Sequence, residues 1–495
     1  MKRHFIHEPE LEFGTGSHVD IRFGLMDHGP PDRFSSLAPK DIKLGVVGTP
    51  ETVEGVNKWL EKCKQGVAAK TSNHPNLFPR FPGYGADTNL SADLLLDSQL
   101  TKTILPKEFD KLCRGIGTSQ QKIEEAVNWF LDSLMYLKEK ELANVFVVAV
   151  PMSLMTYMLE AAQPQPAASR ESGKEDNEGE EEDDEIKETK IDFHHLLKAK
   201  AMRDIGKPIQ LILPWTYDES KRLPQKLRKD KVKELQDEAT RAWNFYVALY
   251  YKAGGRPWRL VRDPADYTVC YIGVSFYKTL DGSKLLTSTA QVFNERGDGI
   301  ILRGGSAQKS KKDDRQIHMN EEDAYNLIYR ALKVYKTEHY TLPARVVIHK
   351  TSAYNQDELS GFSRAIEQYD IGLTDYIHVR DAFSRLYRGG AYPPLRGTLF
   401  SKDDKTHVLY TRGGVDFYST YTGMYVPLPL EMNLEEVTQT PYFLAQEILA
   451  LTKMNWNSTQ FDGDDPITVK AARRVGDILK YVDHSDIQQR YSYYM

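Results

Sequence analysis

Two kinds of hydrophobic pattern alternate along the first half of the chain. Short apolar runs typical of strands, KLGVVGT from Lys43 and NVFVVAVP from Asn144, alternate with segments of helical spacing such as PETVEGVNKWLEKCKQG and SQQKIEEAVNWFLDSLMYLKEK. The alternation continues with a helix around Lys198, the strand QLILP and a long helix ending at Lys252. Strands alternating with helices predict a mostly parallel sheet covered on both faces. We therefore predict a Rossmann-like α/β domain for residues 1–256.

The pattern changes from Pro257 onward. Three strand-like runs follow one another, YTVCYIGVSFYKT, KLLTSTAQVFN and GIILRGG, before a helical segment, NEEDAYNLIYRALKVYKTE, and a further apolar strand, RVVIH. Three antiparallel strands, a helix and a parallel fourth strand are typical of RNase H topology. We therefore predict an α/β fold of two domains, with an RNase H-like domain over residues 257–495.

One segment interrupts this globular pattern. The stretch from Glu171 to Glu188 has eleven acidic residues against two lysines and almost no apolar residue, so we expect a disordered acidic loop at about residues 168–190. The net charge of the chain is −5, and the segment carries −9 of it, so the rest of the chain is basic at +4. The loop is either an inert insertion or an electrostatic lid that competes with nucleic acid.

A basic run follows the first domain's last predicted strand. Its cations are Lys221, Arg222, Lys226, Arg228, Lys229, Lys231 and Lys233, opposed only by Asp230. Such a run fits either contact with a phosphate backbone or an ordinary solvated helix face.

The cysteines and the apolar stretches bear on the compartment. Cys63, Cys113 and Cys270 share no metal-ligand spacing, and an odd, scattered set is typical of a reducing interior. The most hydrophobic stretch is too short to span a bilayer and is interrupted by Pro151. We expect a cytoplasmic protein without a membrane segment.

Four polar residues around the predicted helices and strand could bind a phosphate. His194 and Lys198 are four residues apart and share one helix face, Gln210 stands at the start of the strand LIL, and Lys252 precedes the helix stop Gly-Gly. A terminal phosphate carries almost two negative charges and needs several convergent donors, at least two of them cations. Taken singly, HxxxK is usually a solvated helix face and KAGG is usually only a helix cap.

Taken in order, these motifs resemble the pocket for the guide 5′ end in the MID domain of Argonaute proteins, which has HxxxK, PxQ before a strand, and KAGG. The resemblance continues in the second half. CYIGVSFY resembles the first strand of an Argonaute PIWI domain, RVVIHKTS its central strand, and LTKMNWNST with PITVKAAR its last segment, while EPELEFG near the start is similar to the segment that opens the MID region. The chain is most similar to the short prokaryotic Argonautes, which lack N and PAZ domains.

The resemblance implies an inactive nuclease centre. Cleaving PIWI domains hold two metals with carboxylates, and this chain has Ser275, Thr351 and Arg473 at three of those positions. Hydroxyls are weak metal ligands and a guanidinium repels cations, so we expect no cleavage and no enzymatic activity. Glu295 or Asp298 could replace the remaining glutamate.

The resemblance also implies ligands and partners. His194, Lys198, Gln210 and Lys252 would bind the 5′ phosphate of a guide RNA, His194 could instead stack on the first base, and Met495 would contribute its terminal carboxylate to a Mg²⁺ ion there. The guide would pair with a single-stranded DNA target. The partner would be an APAZ protein with a TIR or sirtuin-like effector domain, forming a heterodimer that depletes NAD in defence against plasmids or phage.

Two rival functions stay open from the sequence. One is a guided endonuclease with a non-standard metal site, and the other is a scaffold that binds the effector protein without nucleic acid. The N-terminal region, which lies outside the strongest motifs, is a candidate for the partner interface.

Overall fold

The structure is a computed structural model that describes residues 2–85, 87–162, 191–224, 235–263, 266–293, 299–310, 316–389, 393–423, 426–483 and 487–495. The predicted acidic loop 168–190, Glu295, Asp298 and the basic residues from Lys226 to Lys233 lie outside these ranges, so those predictions stay predictions. None of the helices in these ranges combines the length and hydropathy that a bilayer crossing requires.

The first half of the chain alternates strands and helices. Its strands are β1 (Lys2–Phe5), β2 (Leu11–Glu12), β3 (Ser17–His18), β4 (Asp41–Gly48), β5 (Asp93–Thr103), β6 (Val145–Ala149), β7 (Ile209–Ile212) and β8 (Arg259–Leu260). Its α-helices are α1 (Ile21–His28), α2 (Pro50–Gln65), α3 (Pro106–Arg114), α4 (Ser119–Lys138), α5 (Met152–Ala162), α6 (Phe193–Asp204), α7 (Pro214–Tyr217) and α8 (Glu238–Lys252).

The first domain is built on a parallel four-stranded sheet. Its strand order is β5-β4-β6-β7, and every neighbouring pair is parallel. Successive side chains of β6 point to opposite faces, so Val147 packs with α2 and α8 while Phe146 and Val148 pack with α4 and α6. The predicted Rossmann-like arrangement is confirmed.

The second half contains the larger sheet. Its strands are β9 (Val269–Lys278), β10 (Leu285–Phe293), β11 (Ile301–Lys309), β12 (Ile317–His318), β13 (Arg345–Lys350), β14 (Leu373–Asp381), β15 (Thr398–Ser401), β16 (Thr406–Leu409), β17 (Gly414–Val415), β18 (Thr420–Tyr421) and β19 (Leu430–Leu434). Its α-helices are α9 (Glu321–His339), α10 (Gln356–Glu367), α11 (Pro441–Leu451) and α12 (Ile467–Leu479).

The topology of this sheet matches the RNase H prediction. The strand order is β1-β15-β16-β19-β14-β13-β9-β10-β11-β12, in which β9, β10 and β11 are antiparallel neighbours and β13 runs parallel to β9. α9 and α10 cover one face, and α12 packs on the other face against β9 and β10.

The structure corrects the predicted domain range at its start. Lys2–Phe5 pairs antiparallel with Thr398–Ser401 and so forms the edge of the second domain's sheet, although residues 1–256 were predicted to belong to the first domain. A buried ion pair holds the following segment in place, since Arg396 Nε lies 2.8 Å from Glu8 Oε2. The sequence could not indicate this pairing because the partner strand lies far along the chain and KRHF has no apolar periodicity.

Candidate functional site

Helix α6 carries two of the four predicted phosphate ligands. Asp192 caps the helix, because its Oδ1 accepts a hydrogen bond from the backbone N–H of His195 at 2.9 Å. His194 and Lys198 follow one turn apart on the same face. Lys198 is buried, with 4% of its surface exposed.

The other two predicted ligands meet where α8 ends. The helix stops after Lys252 because Gly254 has φ +101°, and a Cβ on Gly255 would lie 2.2 Å from the Tyr250 ring. The Lys252 ammonium donates a hydrogen bond to Gln210 Oε1 on β7 at 2.5 Å. The KAGG motif therefore fixes the position at which a buried lysine meets the edge of the sheet.

Met495 lies in the same place. The Lys198 ammonium donates a hydrogen bond to the main-chain oxygen of Met495, and both residues are buried. Tyr491 and Tyr494 are also buried, as expected for a docked C-terminal segment. The structure thus brings Met495 to the predicted ligands, while its role toward a metal stays a prediction.

The electrostatics show that these cations converge. Burial lowers the pKa of Lys252 to about 7. Burial lowers the pKa of Lys198 well below its ordinary value, and the charges of Lys252 and Arg474 lower it further. Burial and then the charge of Lys198 are the main causes that lower the pKa of His194 to about 2, with smaller contributions from Lys252 and Arg474. His194, Lys198, Gln210, Lys252 and Arg474 are called the cation pocket below.

Arg474 is a member of this pocket that the motifs did not indicate. It lies on α12, directly after Arg473, which the resemblance placed at a lost catalytic position. Successive helical residues point about 100° apart, so the two guanidinium groups serve different surroundings. Arg473 is exposed, and its Nη1 lies 2.5 Å from Asp465 Oδ2. The equivalence of Arg473 to a catalytic residue stays a prediction.

Ser275 and Thr351 lie side by side. The β9–β13 register pairs Val274 with Lys350, which brings the next residue of each strand level with the other. The Thr351 hydroxyl lies 3.4 Å from the Ser275 hydroxyl, and Ser275 is buried. Ser275 and Thr351 therefore form one neutral, hydroxyl-lined position, while their equivalence to catalytic carboxylates stays a prediction.

Helix α12 packs closely over this position. A Cβ on Gly273 would lie 2.2 Å from the carbonyl oxygen of Thr468, so only glycine permits the close approach of the helix to β9. His349 Nδ1 lies 2.8 Å from Thr468 Oγ1, and burial lowers the pKa of His349 to about 3, so the imidazole is neutral. His349 thus joins strand to helix, which fits the structural role of a strand-end histidine.

Three acidic residues interact near Arg473, namely Asp464 and Asp465 just before α12 and Asp381 at the end of β14. Burial raises the pKa of Asp465. The charge of Arg473 lowers this pKa, and the charges of Asp381 and Asp464 raise it, so the three carboxylates interact electrostatically. Two of the carboxylates are paired with arginines, because Arg412 Nη1 lies 3.1 Å from Asp464 Oδ1 and Arg473 contacts Asp465. Among the described residues, the acidic or histidine group whose ligand atoms lie within 4.8 Å of one another is instead Asp192, His194 and His195, beside the cation pocket.

The oxygens of Met495 and Gln210 at the cation pocket are arranged for cationic side chains rather than for the predicted Mg²⁺ ion. Met495 O and Gln210 Oε1 each accept a hydrogen bond from an ammonium group, of Lys198 and Lys252 respectively. Magnesium needs such hard oxygens as ligands, and charged lysines in their place repel it.

Comparison with protein-family profiles and with curated protein sequences gives no match. Solved structures do match. Clostridium butyricum Argonaute bound to a guide DNA and a 19-mer target DNA has 15% identity and a TM-score of 0.62, covering 97% of this chain and 53% of that one. Drosophila Piwi has 11% identity and a TM-score of 0.58, covering 99% and 56%, and A. aeolicus Argonaute has 13% and 0.55, covering 96% and 52%.

The chain thus spans about half the length of the structures it matches. The likeness runs over nearly all of this chain and includes both sheets. The chain therefore has the fold of the Argonaute and Piwi proteins.

Proposed function

We propose that this chain is a guide-dependent nucleic-acid sensor. The cation pocket binds the 5′ phosphate of a small guide RNA, and the guide pairs with a complementary single-stranded DNA. The observation that supports this proposal most directly is the convergence of two further cations, Lys252 and Arg474, on buried Lys198, because their charges add to burial in lowering the pKa of Lys198. Buried cations have lost their hydration, so pairing with a doubly charged phosphate stabilises them more than pairing with a singly charged group does.

The energetics favour a phosphate over a single carboxylate. Each hydrogen bond from a charged donor contributes roughly 1.5–3 kcal/mol, and a phosphate offers three oxygens to the two lysines and Arg474. His194 is neutral, so its imidazole can donate one hydrogen bond to the phosphate or stack on the first base. Base pairing then supplies the sequence specificity, as in other guided systems.

We further propose that target binding produces a conformational signal rather than a cut. Ser275 and Thr351 offer two neutral hydroxyls where two metals would need several carboxylates. The signal would activate an APAZ partner with a TIR or sirtuin-like domain in a heterodimer, and the NAD depletion that follows would serve defence against plasmids or phage.

The experiment is to purify the chain, extract the bound nucleic acid and label its 5′ ends before and after phosphatase treatment. Short RNA that takes up label only after phosphatase treatment supports the proposal. In a second assay, a 5′-phosphorylated RNA binds at least about tenfold more tightly than the same RNA with a 5′ hydroxyl, the factor expected from one lost charge-assisted contact. Equal affinity for the two RNAs contradicts the pocket.

The second candidate function is guided cleavage. The observation that favours it is the electrostatic interaction of three carboxylates, those of Asp381, Asp464 and Asp465. Guide, complementary DNA and Mn²⁺ are incubated with the wild type and with Asp381→Asn plus Asp465→Asn. A guide-dependent product that disappears in the variant establishes cleavage and refutes the sensor without catalysis. A chain that carries no nucleic acid and binds none supports the scaffold instead.

A further inference from the structure

A groove of about 590 Å³ shares no lining residue with the cation pocket or with the Ser275–Thr351 position. The groove lies at the start of β9, and Ser275 lies six residues further along that strand, or roughly 20 Å at 3.3 Å per residue. It is lined by Pro9, Glu10, Leu260, Val261, Arg262, Asp263, Asp266, Tyr267, Val269, Tyr271, Arg345, Gln439, Phe443, Gln446, Glu447 and Ala450. We call these residues the β9 groove.

Large apolar side chains in the β9 groove are left open to solvent. Tyr267 is 59% exposed, Val261 52% and Phe443 39%. Apolar side chains that cluster in a groove, rather than lying scattered over the surface, are typical of an interaction site. The apolar floor therefore favours a ligand with an aromatic or large aliphatic group.

The charged residues of the groove are mainly acidic. The rim has three acidic residues, Glu10, Asp263 and Asp266, and one basic residue, Arg262. The Arg262 guanidinium donates a hydrogen bond to the main-chain oxygen of Asp266 at 2.7 Å. An acidic rim repels phosphates, so nucleic acid is a poor fit, and it attracts lysine or arginine.

The remaining base of the groove, Arg345, is already neutralised. Its Nε lies 2.5 Å from Asp375 Oδ2, and its Nη1 lies 2.7 Å from Glu447 Oε1. Glu447 also accepts a hydrogen bond from the Tyr271 hydroxyl at 2.6 Å. These buried contacts leave the floor rigid and without a spare positive charge.

The exposed surface extends beyond the groove to a sheet edge. Tyr442, next to Phe443 in α11 and 40% exposed, contacts His4 of β1 with ring centroids 6.0 Å apart. All four residues of β1 are exposed, and in the described part of the chain its partner is β15 on one side. An open strand edge beside an apolar groove is suited to an extended protein segment, which can pair with the strand.

We infer that the β9 groove and the β1 edge dock an extended segment of a partner protein, with an aromatic or large aliphatic residue in the groove and lysine or arginine beside it. The inference does not rest on guide binding. A segment bound there contacts a set of residues separate from the cation pocket and from the Ser275–Thr351 position.

The probe is a fluorescent, capped hexapeptide of sequence Thr-Lys-Trp-Arg-Val-Thr, titrated with the full chain and followed by fluorescence anisotropy. Two further peptides replace the basic residues with glutamates or the tryptophan with alanine. We expect the basic tryptophan peptide to bind at least about tenfold more tightly than either, as complementary charge and buried aromatic area require. Equal binding of the three peptides, or no binding of any, overturns the inference.

Matched variants locate the site. Phe443→Ala weakens binding of the basic tryptophan peptide about tenfold and Glu10→Gln about threefold, since one removes the apolar contact and the other a rim charge. Phe383→Ala and Glu338→Gln, which alter an exposed phenylalanine and an exposed glutamate outside the groove, leave peptide affinity unchanged. Equal effects of groove and control variants refute the site. Guide RNA affinity is measured in parallel, so failure of the pocket and failure of the groove give different results.

Discussion

The Thr351 hydroxyl lies 3.4 Å from the Ser275 hydroxyl, across two neighbouring parallel strands of the ten-stranded sheet. The strand ladder fixes this spacing, because the backbone N–H of Thr351 also donates to the carbonyl of Val274 at 3.1 Å. Substituted side chains at the two positions would therefore lie together as well.

The short distance between Ser275 and Thr351 predicts the result of replacing both residues with aspartate. With Ser275→Asp plus Thr351→Asp, two carboxylates roughly 4 Å apart repel by about 4 kcal/mol at an effective dielectric constant of 20. We expect a lower Tm in EDTA and its recovery with Mn²⁺, because the cation neutralises the pair. Differential scanning calorimetry measures both. The control, Ser275→Asn plus Thr351→Asn, is isosteric with the aspartate variant but neutral, and its Tm does not change with Mn²⁺. A double aspartate variant whose Tm is the same in EDTA and in Mn²⁺ would show that the two side chains do not lie together.

Removing both buried lysines tests the cation pocket. Lys198→Ala plus Lys252→Ala removes two charged donors, each contributing roughly 1.5–3 kcal/mol, so affinity for a 5′-phosphorylated RNA falls at least about a hundredfold. Affinity for the same RNA with a 5′ hydroxyl changes far less. Lys200→Ala on the same helix, whose ammonium bonds to Asn128, is the control and retains binding. A double variant with wild-type preference for the phosphate disproves the pocket.

The lowered pKa of Lys252 predicts opposite pH trends for guide binding and stability. The free protein loses a proton from Lys252 near pH 7, whereas the bound phosphate favours the ammonium form, so guide affinity falls as pH rises above about 7, by up to about tenfold per unit. In the unfolded chain Lys252 has an ordinary lysine pKa near 10.4, so between about pH 7 and about pH 10 the unfolded chain binds more protons than the folded protein. The free energy of unfolding therefore rises with pH over this range as far as Lys252 is concerned.

Fluorescence anisotropy at about pH 6.5 and about pH 8.5 checks the binding trend, on either side of the pKa. Lys252→Arg keeps its charge over this range and is expected to flatten the profile. An unchanged slope in that variant would mean that another group causes the pH dependence.

Much of the fold could be predicted because its signals are local. Apolar runs and helical spacing predicted β4, α2, α4 and β6, and Gly254 and Gly255 marked the end of α8 at Lys252. The strand β5 was not predicted, because Asp93–Thr103 is largely exposed and its apolar run is only three residues long, from Leu94 to Leu96. Edge strands with polar faces carry a weak hydrophobic signal.

The site could be predicted only in part. The motifs indicated His194, Lys198, Gln210 and Lys252, and the structure brings all four together. Arg474 could not be found in this way, because its place in the pocket depends on the direction in which α12 presents each residue. The pairing of Glu8 with Arg396 is equally non-local and depends on tertiary contacts alone.

A buried ion pair predicts a stability effect separate from function. Lys350 Nζ lies 3.0 Å from Glu358 Oε2, and both side chains are fully buried. Lys350→Met removes the ammonium group from the buried Glu358 carboxylate, which keeps its contacts with His318 and with the backbone N–H groups of Met319 and Asn355. The variant destabilises the fold by up to about 3–5 kcal/mol, whereas adding Glu358→Gln recovers part of that loss. Urea unfolding of the single and double variants measures the coupling, and additive effects would show that the pair does not interact.

Arg474 and Arg473 offer the sharpest separation between the cation pocket and its surroundings. Arg474→Gln removes one charge that depresses the pKa of both Lys198 and His194, whereas Arg473→Gln breaks the contact with Asp465 instead. Affinity for 5′-phosphorylated RNA therefore falls about tenfold in Arg474→Gln, the equivalent of one charge-assisted contact, and stays within about twofold in Arg473→Gln. Both positions are exposed on one helix, so neither variant should disturb packing. An equal loss of RNA affinity in both variants would indicate that α12 attracts the RNA phosphate backbone in general. A contact specific to the 5′ phosphate should instead depend on Arg474 and not on its neighbour Arg473.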